Sequence, residues 1–213
     1  MKTDELIAML STNVEPVRHR PPWRTIGLAV VFGWMTVLVL VLAALGLRPD
    51  LFDSASLEPV LLKLSFAAVT LVPASYFLIR LSRPGGERNA PLPLLVLPFF
   101  VIAVLAGASL ASAPATHWDS MIVGHDWLEC LISIPILAIV PFAIIVWAVR
   151  QMAPTDLSRA GALVGLVAGS LSAIGYSFHC IDDSVPFVAV WYGGAITLCT
   201  FAGWKLGPWL LRW

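Results

Sequence analysis

Six stretches of almost unbroken apolar sequence dominate the chain: Ile26–Leu45, Pro59–Leu81, Leu92–Ala111, Leu128–Val149, Ala160–Phe178 and Pro186–Leu206. A helix needs about 20 such residues to cross about 30 Å of hydrocarbon, and each run is long enough. The runs are continuous rather than alternating, which argues against membrane-spanning strands. The first run is too long for a signal-peptide core, and no cleavage site precedes it. Hydrophobic residues make up 59% of the chain and charged residues 12%, against about 45–50% and about 25% in soluble proteins. A soluble domain could not hide that surface, and disorder or a disulfide scaffold is excluded as well. The expected fold is all-α: a six-transmembrane-helix bundle over residues 26–213, preceded by a short segment, residues 1–25.

Orientation follows from the basic residues between the runs. Lys2, Arg18, Arg20, Arg24, Arg80, Arg83, Arg88, Arg150, Arg159, Lys205 and Arg212 fall on one side, and Arg48 alone on the other. Both termini are therefore expected in the cytoplasm. The opposite face collects Asp50, Asp53, Glu58, Asp119, Asp126, Glu129, Asp182 and Asp183, with His117, His125 and His179. Lys63 lies about one turn inside the second run and is expected to snorkel toward that outer face. The formal net charge is zero, so nothing in the whole-molecule charge suggests direct nucleic-acid contact.

Gly161, Gly165 and Gly169 recur every fourth residue in the fifth run, and Ala189, Gly193 and Thr197 do so in the sixth. Such stripes let helices approach closely, within one bundle or between two copies of the chain in a homodimer. Movement along the glycine stripe is expected between the fourth and fifth helices. Pro135 and Pro141 predict a kink in the fourth. Carboxylates at mid-membrane, the usual mark of an ion or proton carrier, are missing. No metalloprotease, nucleophile-elbow, phosphate-loop or dinucleotide motif occurs, so no enzyme activity is expected.

Cys130 opens the fourth run and Cys180 closes the fifth, so antiparallel helices put both at the outer face. His125, Asp126 and Glu129 surround one, and His179, Asp182 and Asp183 the other. Three readings stay open for this group. The thiols could be small apolar helix-end residues, a disulfide or redox switch, or part of a soft transition-metal site. Cys199 lies at mid-span, and its expected role is packing.

In the N-terminal segment Thr3 is placed to cap a short helix, with Asp4 and Glu5 favourable in its first turn. Leu6, Ile7, Met9 and Leu10 supply an apolar face, and Asn13 and Pro16 end the helix. The helical part has no basic face, so a partner groove suits it better than anionic lipid. Thr3, Asp4, Leu6, Ile7 and Leu10 are the candidate partner-binding residues.

Several stretches resemble the NrsF family, the negative regulators of sigma F. They are Met1-Lys2-Thr3-Asp4-Glu5-Leu6-Ile7 with Pro16-Val17, Trp127-Leu128-Glu129-Cys130 followed by Ile134-Pro135, and Ala153-Pro154-Thr155. His179-Cys180 before Asp183-Ser184, and Trp191-Tyr192-Gly193, complete the match. The resemblance implies a bacterial inner-membrane anti-sigma factor that holds an extracytoplasmic-function sigma factor inactive. It also implies that cysteines at the positions of Cys130 and Cys180 take part in responses to heavy metals or oxidants. A small six-helix transporter or channel, or a structural subunit of a membrane complex, is the alternative expectation.

Overall fold

A computed structural model describes residues 3–11, 21–51, 54–83, 93–152 and 154–212. The described residues form helices and connecting turns, with no strand among them. Helix α1 covers Thr3–Ser11, and α2 covers Pro22–Leu40 and runs on as a wide π-turn, Val41–Leu45. Then follow α3 (Ser54–Leu81), α4 (Pro93–Ser112), the short α5 (Trp118–Val123), α6 (Trp127–Arg150) and α7 (Leu157–Tyr176). The chain ends with α8 (Val185–Phe187), a second π-turn (Val188–Tyr192) and α9 (Gly193–Leu210). Six of these units are long and apolar enough to cross a membrane, in agreement with the six runs read from the sequence.

The bundle is organised around α7. Of its apolar stretch 72% is buried, against 17% for α4. The cause is side-chain size: its glycines and alanines let neighbouring backbones close in from several sides. A Cβ on Gly161 would collide with the backbone of Gly203 and Gly207, and one on Gly165 with the Cys199 carbonyl. Gly203 and Gly207 are equally closed against Gly161 and Leu157.

The glycine stripe therefore seats α9, not the fourth span α6 that was expected to slide along it. The stripe on α9 also differs from expectation. It runs through Ile196, Cys199, Gly203 and Gly207, whereas a Cβ on Gly193 would only reach Phe99 and Phe66 at ordinary contact distance. Small residues four apart define a stripe, but the neighbours decide which stripe is used. Cys199 is a packing residue of this seam, its β-carbon 3.0 Å from where a Gly169 side chain would begin. Helix α6 passes unbroken through Pro135 and Pro141. Gly33 of α2 makes room for Pro141, whose Cβ lies 3.0 Å from the position a side chain there would take.

Helix α1 begins at Thr3 and is described to Ser11, with Ile7 59% and Met9 71% exposed. The side chains of Leu6 and Leu10, and the residues expected to end the helix, lie outside the described residues.

Candidate functional site

One end of the bundle carries Cys130, Cys180 and a network of buried charge. It is assembled from the turn after α2, the first half of α3, the N-terminus of α6, and segment 177–184 between α7 and α8. Gly46, at φ 78°, stops the π-turn, and a left-handed residue there sends the chain back toward the bundle. The backbone N–H of Arg48 then donates to the Phe178 carbonyl at 3.0 Å, which pins this turn to segment 177–184.

Arg48 is the lone basic residue counted in the loops of its face. It is only 3% exposed. Its guanidinium makes two paired contacts, Nε and Nη2 with the Asp50 carboxylate at 2.8 and 2.7 Å, and Nη1 and Nη2 with Asp183, both at 2.9 Å. The planar fork suits such two-point binding of carboxylates. Nη1 also donates to the Cys180 carbonyl at 3.2 Å.

Lys63 does not snorkel. It is 0% exposed, and its Nζ lies 2.7 Å from Asp183 Oδ1 and 3.0 Å from the Cys180 carbonyl, 5.9 Å from the centre of the Tyr192 ring. The side chain ends on a carboxylate and a carbonyl of segment 177–184 rather than in open water. An unpaired ammonium would have had to reach water instead.

Asp182 and Asp183, adjacent in sequence, bind in different directions. Asp183 faces the two cations, while Asp182 Oδ2 accepts from the backbone N–H groups of His125 and Asp126 at 3.0 and 2.9 Å. Those amides lie at the N-terminus of α6, where donors lack intrahelical partners and negative charge is favoured. Gly124, at φ 64°, forms the turn, and a Cβ there would press on Asp182 Oδ2 and the Phe187 ring. Ser184 Oγ donates to the Met121 carbonyl at 2.5 Å, and Trp191 Nε1 to that of Ile122 at 2.7 Å. Trp191 also packs on Trp127, with ring centroids 4.9 Å apart. His179 spans the remaining gap, its Nδ1 3.1 Å from the Gly46 carbonyl and Nε2 3.4 Å from Glu129 Oε1.

Within this frame both thiols are free and buried, Cys130 at 0% and Cys180 at 2% exposure. The Cys180 sulfur contacts the Asp182 carbonyl at 3.8 Å. Tyr176 and Tyr192, both fully buried, bring hydroxyls that lack a hydrogen-bond partner.

The structure thus brings together Cys130, Cys180, Glu129, His179, Asp182 and Asp183. His125 and Asp126 contribute main-chain N–H groups to the cap on Asp182. No three histidine, cysteine, aspartate or glutamate side chains among the described residues converge as a metal-binding group. Sequence reasoning missed Arg48, Lys63, Tyr176 and Tyr192. The signal for Lys63 was present, since an ionisable side chain within an apolar span marks a site by default.

Burial pushes the Cys180 thiol up, with the nearby Lys63 ammonium acting the other way. Burial also opposes charge on Asp183, yet hydrogen bonds from Arg48 and Lys63 hold its carboxyl below the usual range. The Arg48 guanidinium pulls Asp50 down to about 2. Both carboxylates are thereby held ionised, and the four side chains form two cations balanced by two anions.

Known proteins give the arrangement its context. Residues 10–213 match the family model described as negative regulator of sigma F. The chain is similar to a probable anti-sigma-F factor NrsF of Azospira oryzae, with 30% identity over 213 residues and all of both chains covered. It is also similar to the anti-sigma-F factor NrsF of Caulobacter vibrioides, with 33% identity over 216 residues and again all of both chains. No solved structure matches. A match over nearly the whole length, through the cysteine-bearing end and the glycine seam alike, means that this chain belongs to the NrsF family of negative regulators of sigma F.

Proposed function

We propose that this chain is an inner-membrane anti-sigma factor that sequesters an extracytoplasmic-function sigma factor and releases it on a signal received at Cys130 and Cys180. The observation that carries the reading is full-length relatedness to anti-sigma-F factors. The distribution of basic residues supports cytoplasmic termini and a periplasmic cysteine-bearing end. Helix α1 supports the sigma-binding role, since it offers exposed Ile7 and Met9 beside acidic Asp4 and Glu5. An apolar helical face of this kind fits a partner's groove. Arg48 and Lys63 are the buried charged side chains among the described residues, and both sit at the cysteine-bearing end. Buried charge along the rest of the bundle would have favoured a transporter.

Signal transfer in this reading passes through segment 177–184. A disulfide with Cys130, or a soft cation held by the thiols, would displace Cys180. The Cys180 carbonyl is gripped by Arg48 and Lys63, and Asp182 caps α6. A small displacement there loads α3 and α6 together, and α7 continues the same segment toward the opposite end. Packed helices shift between discrete arrangements rather than deforming smoothly.

The decisive experiment is co-purification of the cognate sigma factor with the full-length chain from membranes. It should be retained by the parent and lost when Leu6 and Leu10 are both replaced by Asp, with membrane abundance unchanged. An aspartate in an apolar groove is desolvated at a cost of several kcal/mol. Undiminished capture by the double variant would move the binding site to the basic inner loops. Alkaline phosphatase fused after Asp119 should be active and after Asp156 inactive; the reverse would overturn the topology. Serine at Cys130 or Cys180 should abolish the normal stress response, whereas Cys199→Ser should leave it intact.

A further inference from the structure

A wide groove opens between α2 and α6 at the end of the bundle opposite the cysteines. It holds about 1260 Å³, more than the roughly 300–1,000 Å³ of a small-molecule pocket. Gly27, Leu28, Val31 and Phe32 of α2 face Ile144 and Trp147 of α6 across it, and its mouth carries Arg24, Thr25 and Gln151. The lining follows α2 from Pro21 to Thr36, about 22 Å at a rise of about 1.5 Å per residue. That is the depth of one bilayer leaflet, half of about 40–45 Å with the headgroups included.

Polarity changes along this length. At the deep end the Thr36 hydroxyl donates to the Phe32 carbonyl of its own helix at 2.8 Å, which leaves the walls apolar. At the mouth the Arg24 guanidinium lies 5.3 Å from the centre of the Trp23 ring. It forms no ion pair with a carboxylate among the described residues. Arg150, also exposed, precedes Gln151 and adds a second positive charge at this end. Trp23 and Trp147 are both exposed, and indole rings favour the headgroup level of a membrane. The floor has room to spare, since a Cβ on Gly27 would meet nothing within 4 Å.

We propose that this groove binds one anionic phospholipid, its phosphate at Arg24 and an acyl chain along Gly27, Val31 and Phe32. The proposal rests on the membrane reading of the six long helices and does not involve the cysteines. An anionic amphiphile matches both ends of the groove, and basic pockets between membrane helices on the cytoplasmic side suit such headgroups. A second copy of the chain matches only the apolar part. Packed about a two-fold axis it would bring its own Arg24 to the same depth, so that like charges face each other. The groove between α4, α7 and α9 shows the contrast. Its cation, Arg159, is already paired with Asp156 at 3.0 Å, so nothing there selects a headgroup by charge.

The test is native mass spectrometry of the full-length protein, extracted from membranes in detergent, stripped of lipid and titrated with dioleoyl phosphatidylglycerol or dioleoyl phosphatidylcholine. The parent should hold one phosphatidylglycerol about fivefold more tightly than phosphatidylcholine, the effect of one basic residue near a membrane surface. Arg24→Gln should remove that preference and Arg24→Lys should keep it. Lys205→Gln, at an exposed position on α9 outside the groove, should leave it unchanged. Gly27→Phe fills the groove and should weaken the first phosphatidylglycerol bound; Gly27→Leu is the smaller variant should phenylalanine prevent folding. Equal binding of the two lipids by the parent would overturn the proposal, as would a preference that survives Arg24→Gln or is lost equally in Lys205→Gln. A dimer that Gly27→Phe converts to monomer would overturn it too, because the groove would then belong to a second copy. Recovery of the chain in the soluble fraction without detergent would sink the membrane reading itself, before any lipid is added.

Discussion

Replacing Asp183 with asparagine removes one negative charge from the network and almost no volume. The native carboxylate accepts from both Arg48 terminal nitrogens at 2.9 Å and from Lys63 at 2.7 Å. The cation side chains are 1% and 0% exposed. After the substitution Lys63 has no anionic partner, and Arg48 keeps only Asp50. Leaving a buried charge without its partner costs about 3–5 kcal/mol. Asp183 is itself 25% exposed, so water relieves part of this and the lower end, about 3 kcal/mol, applies. For a chain of this length each kcal/mol moves Tm by about 2–4 °C, so a fall of about 10 °C is expected. Thermal unfolding of the purified protein in detergent, followed by loss of the monodisperse species, reads this directly. Asp119→Asn, at an exposed position on α5, is the control and should shift Tm by no more than about 2 °C. If Asp183→Asn matches that control, the charge network adds no more than a surface pair. The cysteine-bearing end would then be held by apolar packing alone.

Acid should weaken the same end. Asp50 is held at about 2 and Asp183 below its ordinary range, while unfolded aspartates titrate near 3.9. Depressed carboxylates stabilise the fold fully above about pH 4 and lose that contribution as pH falls through their folded values. Tm should therefore drop between about pH 5 and about pH 2.5, and the drop should be shallower in Asp183→Asn. The glycine seam offers a contrast that charge does not touch. Gly165→Val must push into the Cys199 carbonyl and should sharply reduce recovery of folded protein. Gly27→Ala meets nothing within 4 Å and should be neutral or stabilising by about 0.5–1 kcal/mol through lower chain entropy. Equal behaviour of the two variants would mean that α7 and α9 are not in close contact.

The six long apolar helices and the placing of Cys130 and Cys180 at one end of the bundle could be read from residue order alone. Each depends on a local sum, the hydropathy of about 20 neighbours, and on the fact that consecutive spans reverse direction. The glycine stripe on α7 was legible for a similar reason, since a helix repeats its faces at fixed spacing. The partner of that stripe was not, because choosing α9 over α6 depends on how six helix surfaces fit at once. The charge network was out of reach for the same cause. Arg48 and Lys63 meet Asp183 across sequence separations of 135 and 120 residues, and nothing local says which of the acidic residues will accept them. Asp182 and Asp183 are indistinguishable as letters, yet one caps α6 and the other neutralises two buried cations. Lys63 shows the physical reason most clearly. A lysine in an apolar helix either extends to water or ends on a counter-charge, and the choice belongs to the tertiary structure that supplies that counter-charge.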